Sequence, residues 1–397
     1  MRLEARAPYP LLIGLGVMLV AFNLRPALTT VGPLLTGIRA ETGLGAAGAA
    51  VLTTLPVLFL GLASACGPLV IRRLGAERGI LLGIALVAAG LAARALGGLV
   101  PLFAGAALSA AGIGLSGVLL PGLVKRDFPH QAGPMTGLYT MVLCLGAAAG
   151  AGLTVPLQDL LGRSWSLALA AWSVPAVVAT LAWAPFARAA RPAAARRDAR
   201  APDAARFHRD PLAWQVTGFM GLQSSLAYIM FGWVPVLLQS RGLSAIDAGF
   251  VASLLSVGQA PSALIIPWLA GRVRDQRGFV VALLVLTMLA FLGVVYAPVG
   301  LAAPLSMLLG FGLGGTFGLG LTILVLRARD AAGAAKLSAM AQGFGYSIAA
   351  LGPLGFGLAH RSGGDWHLSA LLFCAIALAG MVCGLGAGRD RHVGAGS

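Results

Sequence analysis

The residue with most chemistry to offer is Arg25, which stands midway along an apolar stretch at about 10–37. All thirteen Asp and Glu fall in loops, tails or helix ends, so no acid shares its depth. If the stretch is a helix in lipid, Arg25 lies roughly 15 residues, or about 22 Å, from either flank, too far for its side chain to reach water. An arginine at the bilayer centre costs at least about 2.5–3.5 kcal/mol, a cost normally tolerated where function needs the charge. Helix carbonyls, neutral amides and hydroxyls, water or a bound anion are the partners left to it. A planar fork of five donors suits carboxylate-like, nitro-like and other planar anionic groups. Substrate binding is the expected role, and hydrogen bonding that glues helices together is the plain alternative.

Other side chains able to hydrogen-bond are concentrated in particular apolar runs. Asn23 and Thr29 flank Arg25, and Tyr139 falls in a run at about 134–158. Gln223, Ser224 and Tyr228 share the run at about 212–239, Gln259 the run at about 246–270, and Gln342 and Tyr346 the run at about 336–360. All are candidate substrate contacts around Arg25, each weighed against ordinary interhelical bonding. The sequence carries no phosphate-binding loop for ATP, no metal-ligand spacing and no His/carboxylate pair within a run. It is therefore read as no enzyme, needing neither cofactor nor metal, with any transport driven by gradients. His360, at the end of its run, is the one weak candidate for handling protons.

The elements that must position these residues are membrane helices. The chain has 397 residues, 58% hydrophobic and 10% charged, and a mean hydropathy of +0.89. A soluble chain carries about 25% charged residues, so the solvent for most of this surface is lipid. Twelve apolar runs of spanning length alternate with short loops, and 56 glycines suit closely approaching helices. The fold class expected is an all-α membrane protein of twelve transmembrane helices. Its units are an N-terminal six-helix bundle (1–186), a basic cytoplasmic linker (187–211) and a C-terminal six-helix bundle (212–397). The linker holds seven arginines and three prolines, too little apolar surface for a domain. Trp165, Trp183, Trp233 and Trp366 are expected at the membrane interfaces.

Net charge of +15 would fit a nucleic-acid binder, but its placement does not. Of 28 Lys and Arg, 22 fall in the segments on one side of a twelve-span chain, five on the other, and the last is Arg25. The positive-inside rule then places both termini in the cytoplasm. The halves also repeat. A shift of 199 carries Gly43 onto Gly242, Leu55 onto Leu254, Pro68 onto Pro267 and Arg78-Gly79 onto Arg277-Gly278, and it pairs Arg25 with Ser224. Six plus six parallel helices around a central polar cavity form a known transporter architecture.

The stretch Phe22-Asn23-Leu24-Arg25-Pro26-Ala27-Leu28-Thr29 resembles the helix 1 signature of the cyanate/nitroimidazole transporter group of the major facilitator superfamily. So do Leu52-Thr53-Thr54-Leu55-Pro56 and the segment Gly343-Phe344-Gly345-Tyr346-Ser347, which resembles that group's helix 11. The resemblance runs the whole chain. It implies a major facilitator fold in a bacterial inner membrane, with a small planar anion or polar aromatic as substrate. It carries function onto Arg25 and onto Asn23, Gln342 and Tyr346. In one place the chain departs from the superfamily pattern: aligned on Gly75, the acidic position of the loop after helix 2 is Arg72.

The expected function is secondary transport of a small planar anion by alternating access. The alternative is efflux of small neutral polar aromatics of nitroimidazole type. The expected partners are a small-molecule substrate, anionic in character, and the lipid bilayer, with no nucleic acid, and the chain is expected to act as a monomer. The topology is open to test by single cysteines. Positions within about 190–208 should label only from the cytoplasm, and positions Arg241 and Gly363 only from outside. Labelling of the linker from the periplasm overturns the twelve-span reading.

Overall fold

The computed structural model describes residues 9–128, 132–190, 209–329, 331–363 and 366–393. The middle of the expected linker lies outside them. Among the described residues every regular element is helical, and eleven helical segments are long and apolar enough to cross a membrane. A twelfth, α15 (Ala331–Gly363), is longer still at 33 residues. It misses the apolar threshold because Gln342, Tyr346, Ser347 and its many glycines dilute the run, and polar content is the mark of a helix facing other helices.

The first span is broken. Helix α1 (Tyr9–Asn23) stops, α2 (Pro26–Thr29) covers one turn, and α3 (Val31–Thr42) completes the crossing. Pro26 is the cause. It has no N–H, and its ring displaces the carbonyl four residues back, that of Phe22. The released Phe22 carbonyl abuts α8 (Ala132–Leu160) at Gly146, where any Cβ would lie only 2.0 Å from the oxygen. Only glycine fits there.

The second span comprises α4 (Ala46–Ala65) and α5 (Gly67–Leu74), the third α6 (Ala76–Ala93) with a 3-10 turn, Arg94–Leu96, and the fourth α7 (Leu99–Asp127). The sixth comprises α9 (Trp165–Ala171) and α10 (Ser173–Ala189). In the second half, α11 (Pro211–Ser240), α12 (Ala245–Ala270), α13 (Arg277–Tyr296), α14 (Ala302–Leu326), α15 and α16 (His367–Ala387) follow in turn.

Close approaches repeat between the halves. Gly146 lies against Phe22, and Gly345 against Gly221, a shift of 199 for both members. Gly114 lies on the Leu60 carbonyl and Gly314 on that of Gln259, shifts of 200 and 199. Gly112 faces the Gly83 carbonyl as Gly312 faces that of Leu283. The duplication read in the sequence is thus also a duplication of contacts. It fails where it matters most, because Ser225 stands where the first half has Pro26, and α11 accordingly runs unbroken.

Three of the four tryptophans expected at interfaces are packed between helices. Trp165, Trp183 and Trp233 are buried, and the Trp183 indole donates to the Glu77 carbonyl at 2.9 Å. A buried indole N–H needs such a partner.

Both described ends of the chain lie at one end of the bundle, called here the terminal end. At the opposite end the halves are sealed together. Gly32 of α3 sits where a Cβ would come within 2.9 Å of the Phe231 carbonyl, and the Gln239 amide donates to the Pro33 carbonyl at 3.2 Å. Replacing Gly146 by Val should force α8 off the first span and lower the midpoint of thermal unfolding by on the order of 5 °C. Gly37→Ala, with nothing within 4 Å of the new Cβ, should leave it unchanged or slightly higher.

Candidate functional site

Arg25 stands in the gap between α1 and α2, with φ −114° and ψ −32°. Its own carbonyl is occupied, accepting from the Leu28 and Thr29 amides at 2.9 and 3.2 Å. This fixes the backbone and directs the side chain away from the helix axis. The guanidinium carbon lies over two rings, 5.1 Å from the centroid of Phe231 on α11 and 5.5 Å from that of Phe317 on α14. The residue is only 8% exposed. Among the described residues no side chain hydrogen-bonds or ion-pairs the guanidinium. Ring faces attract a cation by about 0.5–2 kcal/mol each, enough to hold it but leaving its N–H edge unfilled.

Arg25 borders a cavity of about 60 Å³. Arg25 lines it together with Tyr139 of α8, Tyr228 of α11, Gln342 and Tyr346 of α15, and Ser64 of α4. Leu120, Leu143, Phe317 and Leu321 supply apolar wall. The rings of Tyr228 and Tyr346 meet edge to face with centroids 6.0 Å apart. The lining residues of α4, α7, α8, α14 and α15 lie in the halves of those helices that lead to the terminal end. The cavity therefore extends from Arg25 toward that end, away from the seal.

Of the ten residues singled out in the sequence, five come together here: Arg25, Tyr139, Tyr228, Gln342 and Tyr346. The other five do not line the cavity. The Asn23 amide donates to the Leu19 carbonyl at 2.8 Å and to the Pro175 carbonyl at 3.2 Å, tying the first span to α10. Thr29 bonds back to the Arg25 carbonyl at 3.4 Å. The Gln223 amide donates to the Met220 carbonyl and to the Ser224 hydroxyl, at 3.0 and 2.7 Å, and so occupies Ser224 as well. Gln259 is buried where α14 abuts it at Gly314, and it is not among the cavity's lining residues. His360 stacks on Trp366 with ring centroids 4.0 Å apart, near the sealed end and remote from Arg25.

Phe231 and Phe317 were not singled out, since nothing distinguishes them in a chain of 16 phenylalanines. Ser64 was legible as a hydroxyl in a cavity-facing run but carries no motif. Arg94, just after the third span's helix α6, is fully buried. Arg25 is consequently not the one buried cation of the first half.

A seven-span wall around one uncompensated cation, with duplicated halves and one sealed end, is the geometry of a carrier. A family model described as Major Facilitator Superfamily matches residues 13–353. The chain belongs to that superfamily. It is 38% identical to the 2-nitroimidazole transporter of Escherichia coli (strain K12), covering 95% of each chain. It is 32% identical to the cyanate transport protein CynX of the same organism, covering 91% of this chain and 94% of that one. Among solved structures it is similar to the D-xylose–proton symporter, with a TM-score of 0.72 over 98% of both chains at 14% identity, a likeness of fold. The chain is a multi-pass membrane transporter of the cyanate/nitroimidazole group and not an enzyme.

The described lining contains no carboxylate and no imidazole. Only imidazoles among ordinary side chains change charge between about pH 5.5 and 8, so ligand affinity should vary by less than about threefold across that range. Calorimetric titration at several pH values checks this, and a tenfold change would require a titrating group that the lining does not hold.

Proposed function

We propose that this transporter carries a small planar anion, cyanate-like or carboxylate-like, and that Arg25 holds the negative group. The observation that carries the reading is the bare guanidinium edge facing a cavity without a described carboxylate. A buried cation with no counter-charge is costly in the empty protein, and an anionic ligand is what offsets that cost. The tyrosines, Ser64 and Gln342 offer neutral hydrogen bonds to the ligand's remaining edges, and the two phenylalanines exclude water on the flanks. Orientation follows the positive-inside rule, with both termini and the terminal end of the cavity facing the cytoplasm of a bacterial inner membrane. Transport is by alternating access: the α3–α11 seal opens as the terminal end closes.

A second reading, efflux of a small neutral polar aromatic, is favoured by the four rings of Phe231, Phe317, Tyr228 and Tyr346 around the site. It agrees with the name of the 2-nitroimidazole transporter among its relatives. Substitutions at Arg25 separate the two. A thermal-shift screen against small carboxylates, cyanate and nitroimidazoles supplies a ligand, and each variant is then titrated with it. Arg25→Ala should remain folded and monodisperse yet lose about 2–5 kcal/mol of binding, roughly thirty-fold to several thousand-fold. Arg25→Lys keeps the charge but not the flat fork, and should weaken binding substantially. Arg25→Gln should match Ala for an anion and be milder for a neutral ligand. Normal transport by Arg25→Ala would return the residue to a bonding role between helices.

A further inference from the structure

Arg94 is the other buried cation of the first half, and the site just described makes no use of it. Its side chain is 0% exposed. Nη2 donates to the Ala27 carbonyl at 3.3 Å and to the Ser109 hydroxyl at 3.5 Å, while Nε and Nη1 have no partner among the described residues. Among the described residues no carboxylate is paired with it. The groove it lies in depends on glycine: a Cβ at Gly105 would come within 3.0 Å of the Arg94 Cγ and 2.4 Å of the Gly90 carbonyl. Gly97 and Gly98, at φ +69° and +76°, turn the chain back immediately after it.

Plain helix glue explains this poorly. An arginine that leaves two of its donors unfilled in a low-dielectric interior is a costly way to bind one carbonyl and one hydroxyl. The duplication does not explain it either. Shifts of 199 to 203 carry Arg94 onto the stretch Gly293 to Ala297, which holds no cation. There the second half is tied at its surface instead, by half-buried Arg241 bonding the Val294 and Ala297 carbonyls. What Arg94 grips is particular. Ala27 belongs to the single turn α2, isolated between the break at Leu24–Arg25 and the joint at Thr30, and it lies two residues beyond Arg25.

We infer that Arg94 is a positioning residue for the transport site. Its hydrogen bond to the Ala27 carbonyl holds the α2 turn in register and so keeps the Arg25 guanidinium between Phe231 and Phe317. A four-residue helix has too few internal hydrogen bonds to hold its own orientation. Gly150 braces one side of α2 by its close approach to Pro26 and Thr29, and Arg94 braces another from the 3-10 turn that follows α6. The inference rests on the reading of Arg25 as the ligand-binding group.

The test uses the full-length protein in lipid nanodiscs, with Arg94→Met, Arg94→Gln and Arg94→Lys. Its first readout needs no ligand: hydrogen exchange of the amides 24–30, followed by mass spectrometry. Arg94→Met should speed exchange there by about tenfold, Arg94→Gln by less, and Arg94→Lys, which still reaches the carbonyl, by no more than about threefold. Exchange in 84–91 and 105–112, where α6 packs on α7, should stay unchanged. Its second readout is the affinity for cyanate and for benzoate, used as anionic probes, which should fall with the same ranking and recover in Arg94→Lys. If neither probe binds the parent protein, the anion reading fails while the exchange ranking still decides the role of Arg94. Exchange unchanged in 24–30, or raised equally along α6 and α7, overturns the positioning role. So does a failure of all three variants to fold.

Discussion

A guanidinium that lipid cannot solvate and no acid neutralises sets the terms for much of the first bundle. If Arg25 holds the ligand as proposed, it must be shielded without being quenched, because a carboxylate at hydrogen-bonding distance would fill its donors. Phe231 and Phe317 meet that requirement. Their faces stabilise a cation through the ring quadrupole, yet they accept no conventional hydrogen bond. The residue must also leave the helix axis, which an unbroken helix would hinder. Pro26 breaks the helix one residue later, and the carbonyl it displaces is accommodated by the bare Cα of Gly146. Charge, break and glycine are thus one arrangement spread over two helices.

The duplication clarifies why the site is lopsided. Helix pairs in the two halves meet at equivalent glycines, so the scaffold is shared. Differences at two equivalent positions, Arg25 against Ser224 and Pro26 against Ser225, give one half the cation and the break. The other half, through α11, α14 and α15, contributes rings and neutral hydrogen-bonding groups. A ligand held between them touches both bundles. That is what a carrier needs if binding is to favour a state in which the halves approach.

Depth was legible in the sequence, and direction around each helix axis was not. Run lengths and hydropathy were enough to give the helices, and the absence of acids in the spans marked Arg25 as the buried charge to be accounted for. Asn23 and Gln342 looked equivalent, since both are amides at plausible depth. Asn23 turns toward α10 and bonds the Pro175 carbonyl, whereas Gln342 lines the cavity. In helices this rich in Ala, Leu and Gly the apolar pattern has little periodicity from which to read a face. Phe231 and Phe317 stayed hidden for the same reason, as an aromatic facing a cation reads like one facing lipid.

The same electrostatics bear on how the carrier turns over. In the structure the cavity extends toward the terminal end while Gly32 and Gln239 close the other. Passing to the opposite state requires a moment when neither end is open, and any water near the guanidinium is then hardest to keep. For the empty protein that intermediate encloses a bare cation, with a desolvation cost of several kcal/mol. With an anion on Arg25 the enclosed pair is neutral, and the flanking hydroxyls and amide complete its hydrogen bonds. Occlusion is then cheaper loaded than empty. If the ligand is the anion proposed, movement depends on cargo without a separate acidic group, because the unpaired arginine then penalises the empty transit.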